Sequence, residues 1–225
     1  MGCCYSTILF DFDGTLTPSL PLWVRAFQFA FEQFGISLTA DQVISTCFYR
    51  AWEDIVAQFE VPSVANFARF VHTGLDDAFV GADLFAGVRS FLDECISCRI
   101  SLGIVTSTRK ELVTGFVAKQ GIAEYFKTIV AAEDILKFKP DPEPVLLALD
   151  HLNSIPQETI LIGDSHADMA AASAAGIHKG LFLPEEHSCF YNFDELRQHQ
   201  PEIVFQEYSQ LWIRLMDKQA AATDR

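Results

Sequence analysis

Positive charge is scarce in this chain, and long apolar runs are missing. Lysine and arginine together number 16 against 30 aspartates and glutamates, a formal net charge of −14. That balance gives no general attraction for nucleic acid or an anionic membrane surface, so a phosphorylated ligand must be drawn by a metal or by a few placed cations. No stretch approaches the roughly 20 apolar residues of a membrane-spanning helix. The start also lacks the basic segment before an apolar one that marks a secretory signal, and a cytoplasmic location is expected. The six cysteines, Cys3, Cys4, Cys47, Cys95, Cys98 and Cys189, are scattered over a chain large enough to fold without crosslinks. Cys95 and Cys98 form a lone C-x-x-C inside a predicted helix, with no second pair or histidine cluster to complete a zinc site. Gly2-Cys3-Cys4 fits an N-terminal acylation pattern. A first strand beginning by Tyr5 or Ser6 leaves little tether, however, and membrane attachment is not expected.

Half of the 225 residues are hydrophobic and 20 are phenylalanine, enough for one sizeable core or a core with a small accessory domain. From Val88 onward the pattern alternates helix and strand. Strands are predicted over 100–105, 128–130, 159–162, 178–183 and 202–205. Helices are predicted over 88–96, 109–119, 143–151, 166–174, 194–199 and 208–218. The strands are short and apolar throughout, the pattern of a parallel sheet covered on both faces. The expected fold class is α/β, a doubly wound Rossmann-like parallel sheet with its ligand site at the carboxyl ends of the strands. No strand is predicted between about Pro18 and Asp83. There apolar residues recur at helical spacing, as in Leu22, Ala26, Phe29 and Ala30, and Thr39 with Gln42 reads as a capping box. An all-helical domain over 17–83 is therefore expected, inserted into a core of 1–16 and 84–225 and placed over the active site.

Four strand ends carry polar residues that apolar strands do not need. The first is Asp11-Phe12-Asp13-Gly14-Thr15-Leu16-Thr17, after Ile8-Leu9-Phe10. Two carboxylates this close repel unless a cation or a shared proton lies between them, and a hard divalent cation with oxygen ligands suits them. One acid is then available as a nucleophile and the other as an acid/base. The second is Thr106-Ser107-Thr108, whose hydroxyl and backbone amides suit an oxyanion. The third is Lys137-Phe138-Lys139-Pro140-Asp141-Pro142, where a lysine can neutralise phosphoryl oxygens. The fourth is Ile162-Gly163-Asp164-Ser165-His166-Ala167-Asp168. Here Asp164 can complete a carboxylate shell for Mg²⁺, and Asp168 can support that shell or orient Lys139. His166 reads as a helix N-terminal residue, since an oxygen site does not call for imidazole.

These four segments, in this order, resemble the motifs of the haloacid dehalogenase superfamily over about residues 7 to 180. The similarity is greatest to its phosphoglycolate phosphatase and β-phosphoglucomutase branch, with Pro18 where that branch commonly has Asp. The resemblance implies a Mg²⁺-dependent phosphatase acting on a small phosphorylated molecule, with a helical cap; the net charge of −14 argues for no nucleic-acid partner. It assigns Asp11 as nucleophile, forming an aspartyl-phosphate, and Asp13 as acid and then base. It assigns Thr106, with Ser107, to a phosphoryl oxygen and Lys139 to the third motif, Lys137 being the reserve. Metal would be bound by Asp11, Asp164 and the backbone carbonyl of Asp13, with Asp168 behind them.

Within the family, Asp13 favours phosphoryl transfer over dehalogenation. The absence of lysine from 17–83 removes a cap Schiff base, and Gly163 favours hydrolysis over mutase chemistry. Among the cap arginines, Arg50 is the candidate for a substrate anion; a helix-surface pairing with Glu53 or Asp54 is its competing assignment. Pyrophosphate, nucleotides and sugar phosphates remain alternative substrates, and a non-catalytic binding role is the remaining alternative.

Overall fold

The computed structural model describes residues 5–48 and 50–223, with side chains to 215; the Gly2-Cys3-Cys4 motif lies outside them. Six strands, β1 (Thr7–Phe10), β2 (Ser101–Val105), β3 (Phe126–Val130), β4 (Thr159–Gly163), β5 (His178–Phe182) and β6 (Ile203–Phe205), form one sheet. Their order is β3-β2-β1-β4-β5-β6, and every pairing is parallel. The first helices are α1 (Leu20–Glu32), α2 (Ala40–Cys47), α3 (Trp52–Gln58) and α4 (Val64–Phe79). They are followed by α5 (Val88–Ser97), α6 (Lys110–Lys119), α7 (Glu143–Leu152), α8 (His166–Ala175), α9 (Phe193–Arg197) and α10 (Tyr208–Thr223). This is the α/β parallel sheet expected from the apolar strands. Among the described residues no helix is long and apolar enough to cross a membrane.

The chain divides into two compact units, Met1–Thr17 with Asp83–Arg225, and Pro18–Ala82. In the α/β unit β1 is central. Phe10 is in register with Ile104 of β2 and with Ile162 of β4, so the polar residues that follow these three strands emerge at one level. Ile8, Leu9, Phe10, Ile160, Leu161 and Ile162 are fully buried, as strands covered by helices on both faces require. Where the chain leaves this unit and returns to it, Thr17 Oγ1 donates to the Asp83 carbonyl at 2.8 Å and the Phe85 amide donates to the Leu16 carbonyl at 3.0 Å. Cys95 is buried in α5 while Cys98, its C-x-x-C partner, is exposed, and neither is in a disulfide.

The helical unit accounts for much of the phenylalanine. Phe31 packs edge-on against Phe59 with centroids 4.8 Å apart, and against Phe67 at 5.0 Å; Phe67 also stacks on Phe27 at 6.2 Å. Close approach of α1 and α4 needs Gly74, where a Cβ would come within 3.0 Å of the Ala26 Cα. The capping box at the start of α2 is formed, with the Gln42 amide on Thr39 Oγ1 at 3.2 Å and the Thr39 amide on Gln42 Oε1 at 2.9 Å. Phe67 is wholly buried. Replacing it, Phe67→Ala, is expected to destabilise the helical unit by about 3–5 kcal/mol, measured by urea unfolding followed through Trp23 and Trp52 fluorescence.

Candidate active site

β1 ends at Phe10, so both acids of the first motif lie in the turn that follows it. The Asp11 amide is held by the Ile162 carbonyl of β4 at 2.8 Å, which fixes where its buried carboxylate begins. Asp13 is half-buried, and its Oδ2 accepts a hydrogen bond from Thr108 Oγ1 at 2.5 Å. Thr106 follows β2 and is 1% exposed. Its Oγ1 accepts the Thr108 amide at 3.0 Å, which leaves its own proton to donate elsewhere. Ser107 is exposed.

Lys139, not Lys137, reaches the acids. Its Nζ donates to Asp11 Oδ1 at 2.6 Å, to Asp168 Oδ1 at 2.6 Å and to the Val105 carbonyl at 3.0 Å, which uses all three ammonium protons. Lys137 is exposed and pairs with Asp141 at 3.4 Å. Asp168 is the third residue of α8 and forms a capping box with Ser165: its Oδ2 accepts from the Ser165 amide at 3.1 Å and from Ser165 Oγ at 2.6 Å. Both Asp168 oxygens are thus committed, which makes this residue the orienter of Lys139. Asp164, after β4, is 1% exposed. Tyr191 Oη donates to its Oδ2 at 3.0 Å, and His187 Nδ1 lies 3.4 Å from the same oxygen.

Asp11, Asp164 and Asp168 each offer a carboxylate oxygen within 4.8 Å of the others. With Asp13 there are four carboxylates and one ammonium, Lys139, at the same strand ends. Burial, then the charge of Asp168, pushes the Asp11 carboxyl up to about 7, with Lys139 opposing and Asp13 adding. Burial, then Asp168 and Asp11, holds Asp164 well above the carboxylate range. For Lys139 burial works toward deprotonation, but Asp11 and Asp168 outweigh it and keep the ammonium above its ordinary range. Burial lowers His187 to about 4, so it is neutral at pH 7 and its closeness to Asp164 is not a charge pair. A site with this excess of buried negative charge and oxygen donors fits a hard cation. Asp168 has both oxygens engaged by Lys139 and Ser165, whereas those bonds do not use Asp11 Oδ2 or Asp164 Oδ1, which favours Asp11 and Asp164 as its ligands.

Sequence reasoning did not find Tyr191, His187 or the pairing of Thr108 with Asp13. Thr108 was visible within its hydroxyl cluster; nothing local marks the other two. In the helical unit, Arg50 is exposed and donates to the Thr46 carbonyl at 3.1 Å and to Gln58 Oε1 at 2.5 Å. It does not pair with Glu53 or Asp54 as a helix-surface assignment requires, because Arg50 lies between α2 and α3, where helical spacing does not apply. His166 opens α8, and its Nδ1 lies 2.9 Å from His199 Nε2.

Comparison with known proteins points the same way. The family model described as haloacid dehalogenase-like hydrolase matches residues 8–181. The chain is 29% identical over 177 residues to the pyrophosphatase PpaX of Oceanobacillus iheyensis, covering 76% of this chain and 80% of that one. It is 29% identical over 178 residues to the phosphoglycolate phosphatase of Yersinia pseudotuberculosis, covering 75% and 77%. A crystal structure from Bacteroides fragilis, described as a haloacid dehalogenase-like hydrolase, superposes with a TM-score of 0.81 at 25% identity, covering 92% of this chain and 99% of that one.

Gly163 is required by the packing of Asp168. A Cβ at 163 would lie 2.5 Å from the Asp168 Cβ and Cγ, inside any tolerable contact. Gly163→Ala is therefore expected to displace Asp168 and cost about 1–3 kcal/mol of stability, measured by urea denaturation; an unchanged midpoint would show that the capping box gives way freely.

Proposed function

The chain belongs to the haloacid dehalogenase-like hydrolase family, and on that premise we propose that it is a Mg²⁺-dependent phosphatase of a small organic phosphomonoester. The observation that carries this reading is the Lys139 ammonium held at 2.6 Å from both Asp11 and Asp168 within a buried carboxylate cluster. A lone structural ion pair does not need the further acids Asp13 and Asp164 beside it.

In the proposed reaction an Asp11 oxygen attacks phosphorus and the P–O bond to the leaving group breaks. Asp13 gives a proton to the departing alkoxide. Asp13 then takes a proton from water as that water attacks the aspartyl-phosphate, which frees inorganic phosphate and regenerates Asp11. The Thr108 hydroxyl on Asp13 Oδ2 aims the other Asp13 oxygen. Thr106 donates to a phosphoryl oxygen, and the exposed Ser107 beside it is a further contact for the substrate. Lys139 offsets the charge of Asp11 and the phosphoryl group. Asp11, Asp164 and the Asp13 backbone carbonyl would hold Mg²⁺, which when bound neutralises the phosphoryl oxygens and the clustered acids. Asp168 serves by fixing Lys139.

Residues 17–83 are proposed as the cap that selects the leaving group, with Arg50 as the candidate for a second substrate anion. The curated relatives carry both phosphoglycolate phosphatase and pyrophosphatase names, so phosphoglycolate and pyrophosphate are the first substrates to compare. Phosphate release from phosphoglycolate, sugar phosphates, nucleotides and pyrophosphate, with and without Mg²⁺, tests the reading. Mg²⁺-dependent release is expected for the native chain, and Asp11→Asn is expected to lose at least 10³-fold, on the order of the loss seen when a catalytic nucleophile is removed. Absence of release from every compound in Mg²⁺ would overturn the reading.

A further inference from the structure

The contacts that hold Asp164 come from a segment beyond the part of the chain that the family model matches. That match ends at residue 181. The chain then forms a 3₁₀ turn, Glu185–Cys189, whose last bonds run from the Phe190 and Tyr191 amides to the His187 carbonyl at 2.9 and 3.0 Å. This winding brings His187 and Tyr191, four apart, to the same face. Both meet one atom, Asp164 Oδ2: the Tyr191 hydroxyl donates to it at 3.0 Å and His187 Nδ1 lies 3.4 Å away.

Each ring is fixed by packing. His187 is 2% exposed, with ring centroids of Phe85, Phe182 and Phe190 at 5.9, 6.0 and 6.4 Å. Tyr191 packs against the cluster of Met169, Leu181, Leu183 and Leu196. His187 Nδ1, although buried, makes no hydrogen bond. It is an unsatisfied polar atom 3.4 Å from a carboxylate oxygen without a hydrogen bond to it, and such atoms are rare in protein interiors.

The division of labour around the cluster is chemical. Lys139 binds Asp11 and Asp168 and cancels charge there. Asp164 is approached by a phenol hydroxyl and a buried imidazole instead. A phenol hydroxyl can fix the carboxylate torsion, which is otherwise broad and roughly two-fold, without cancelling the charge that a cation needs. We propose that Tyr191, backed by His187, is a positioning residue that locks Asp164 Oδ2 and so presents Oδ1 to the metal, setting the affinity of the site for Mg²⁺. This rests on the reading of Asp164 as a metal ligand.

The test is isothermal titration calorimetry of the full chain with Mg²⁺, paired with the Mg²⁺ dependence of phosphate release. Tyr191→Phe keeps the ring and removes only the hydroxyl. It is expected to raise the Mg²⁺ Kd by about 10–100-fold, to raise the Mg²⁺ needed for half-maximal activity by the same factor, and to recover native kcat and KM at saturating Mg²⁺. His187→Phe, which keeps the aromatic packing and removes the ring nitrogens, is expected to shift Kd in the same direction by less. Native Kd in Tyr191→Phe, or a lower metal-free unfolding midpoint with Kd unchanged, would overturn the proposal and leave Tyr191 as packing. Should the native chain bind Mg²⁺ yet release no phosphate, the phosphatase reading falls, while the calorimetric comparison still decides this one.

Discussion

The whole α/β unit is organised around an imbalance of charge. Four carboxylates, Asp11, Asp13, Asp164 and Asp168, meet at the ends of adjacent strands with one ammonium, Lys139, among them. Burial makes this costly, and the raised pKa of Asp11 and Asp164 expresses that cost. A fold selected for stability alone has no use for such a cluster, because an apolar replacement of buried ion pairs is often neutral or stabilising. The acids are placed where charge is wanted, and the surrounding residues confine them there. Ser165 and Lys139 occupy Asp168, Thr108 holds Asp13, and Tyr191 holds Asp164.

Local features were the ones the sequence made legible. Apolar strands, capping signals and the four polar strand ends are each written in a few consecutive residues, and the strands and helices of the α/β unit fall within a residue or two of their expected limits in most cases. Lys139 could be ranked above Lys137 only through the family pattern, and the structure gives the physical difference: one ammonium is buried among acids and the other lies in solvent. The contacts that were not legible join distant residues. Thr108 and Asp13 are 95 positions apart, and Tyr191 and Asp164 are 27 apart. No periodicity or spacing encodes such pairings, because they depend on the order of strands in the sheet. Arg50 is the converse case. Arg50 lies between α2 and α3, where helical spacing does not apply, and its guanidinium meets Gln58 instead.

Phenylalanine serves two separate purposes in one chain. In the helical unit Phe27, Phe31, Phe59 and Phe67 form an aromatic core between the helices. In the α/β unit Phe85, Phe182 and Phe190 surround His187 and hold a neutral imidazole beside an acid. Both uses rely on the same property, a large rigid apolar ring that loses little side-chain freedom on burial.

The register of β1 with its two neighbours has a further consequence. Phe10, Ile104 and Ile162 lie side by side, and the Asp11 amide is bonded to the Ile162 carbonyl just beyond them. The nucleophile candidate is therefore anchored by the same ladder that forms the middle of the sheet. Amide exchange at Asp11 requires that ladder to open, and the central strands of a sheet are where opening approaches global unfolding. The end of the sheet that carries the acids is therefore expected to open only together with its interior, and change is left to segments outside the central ladder.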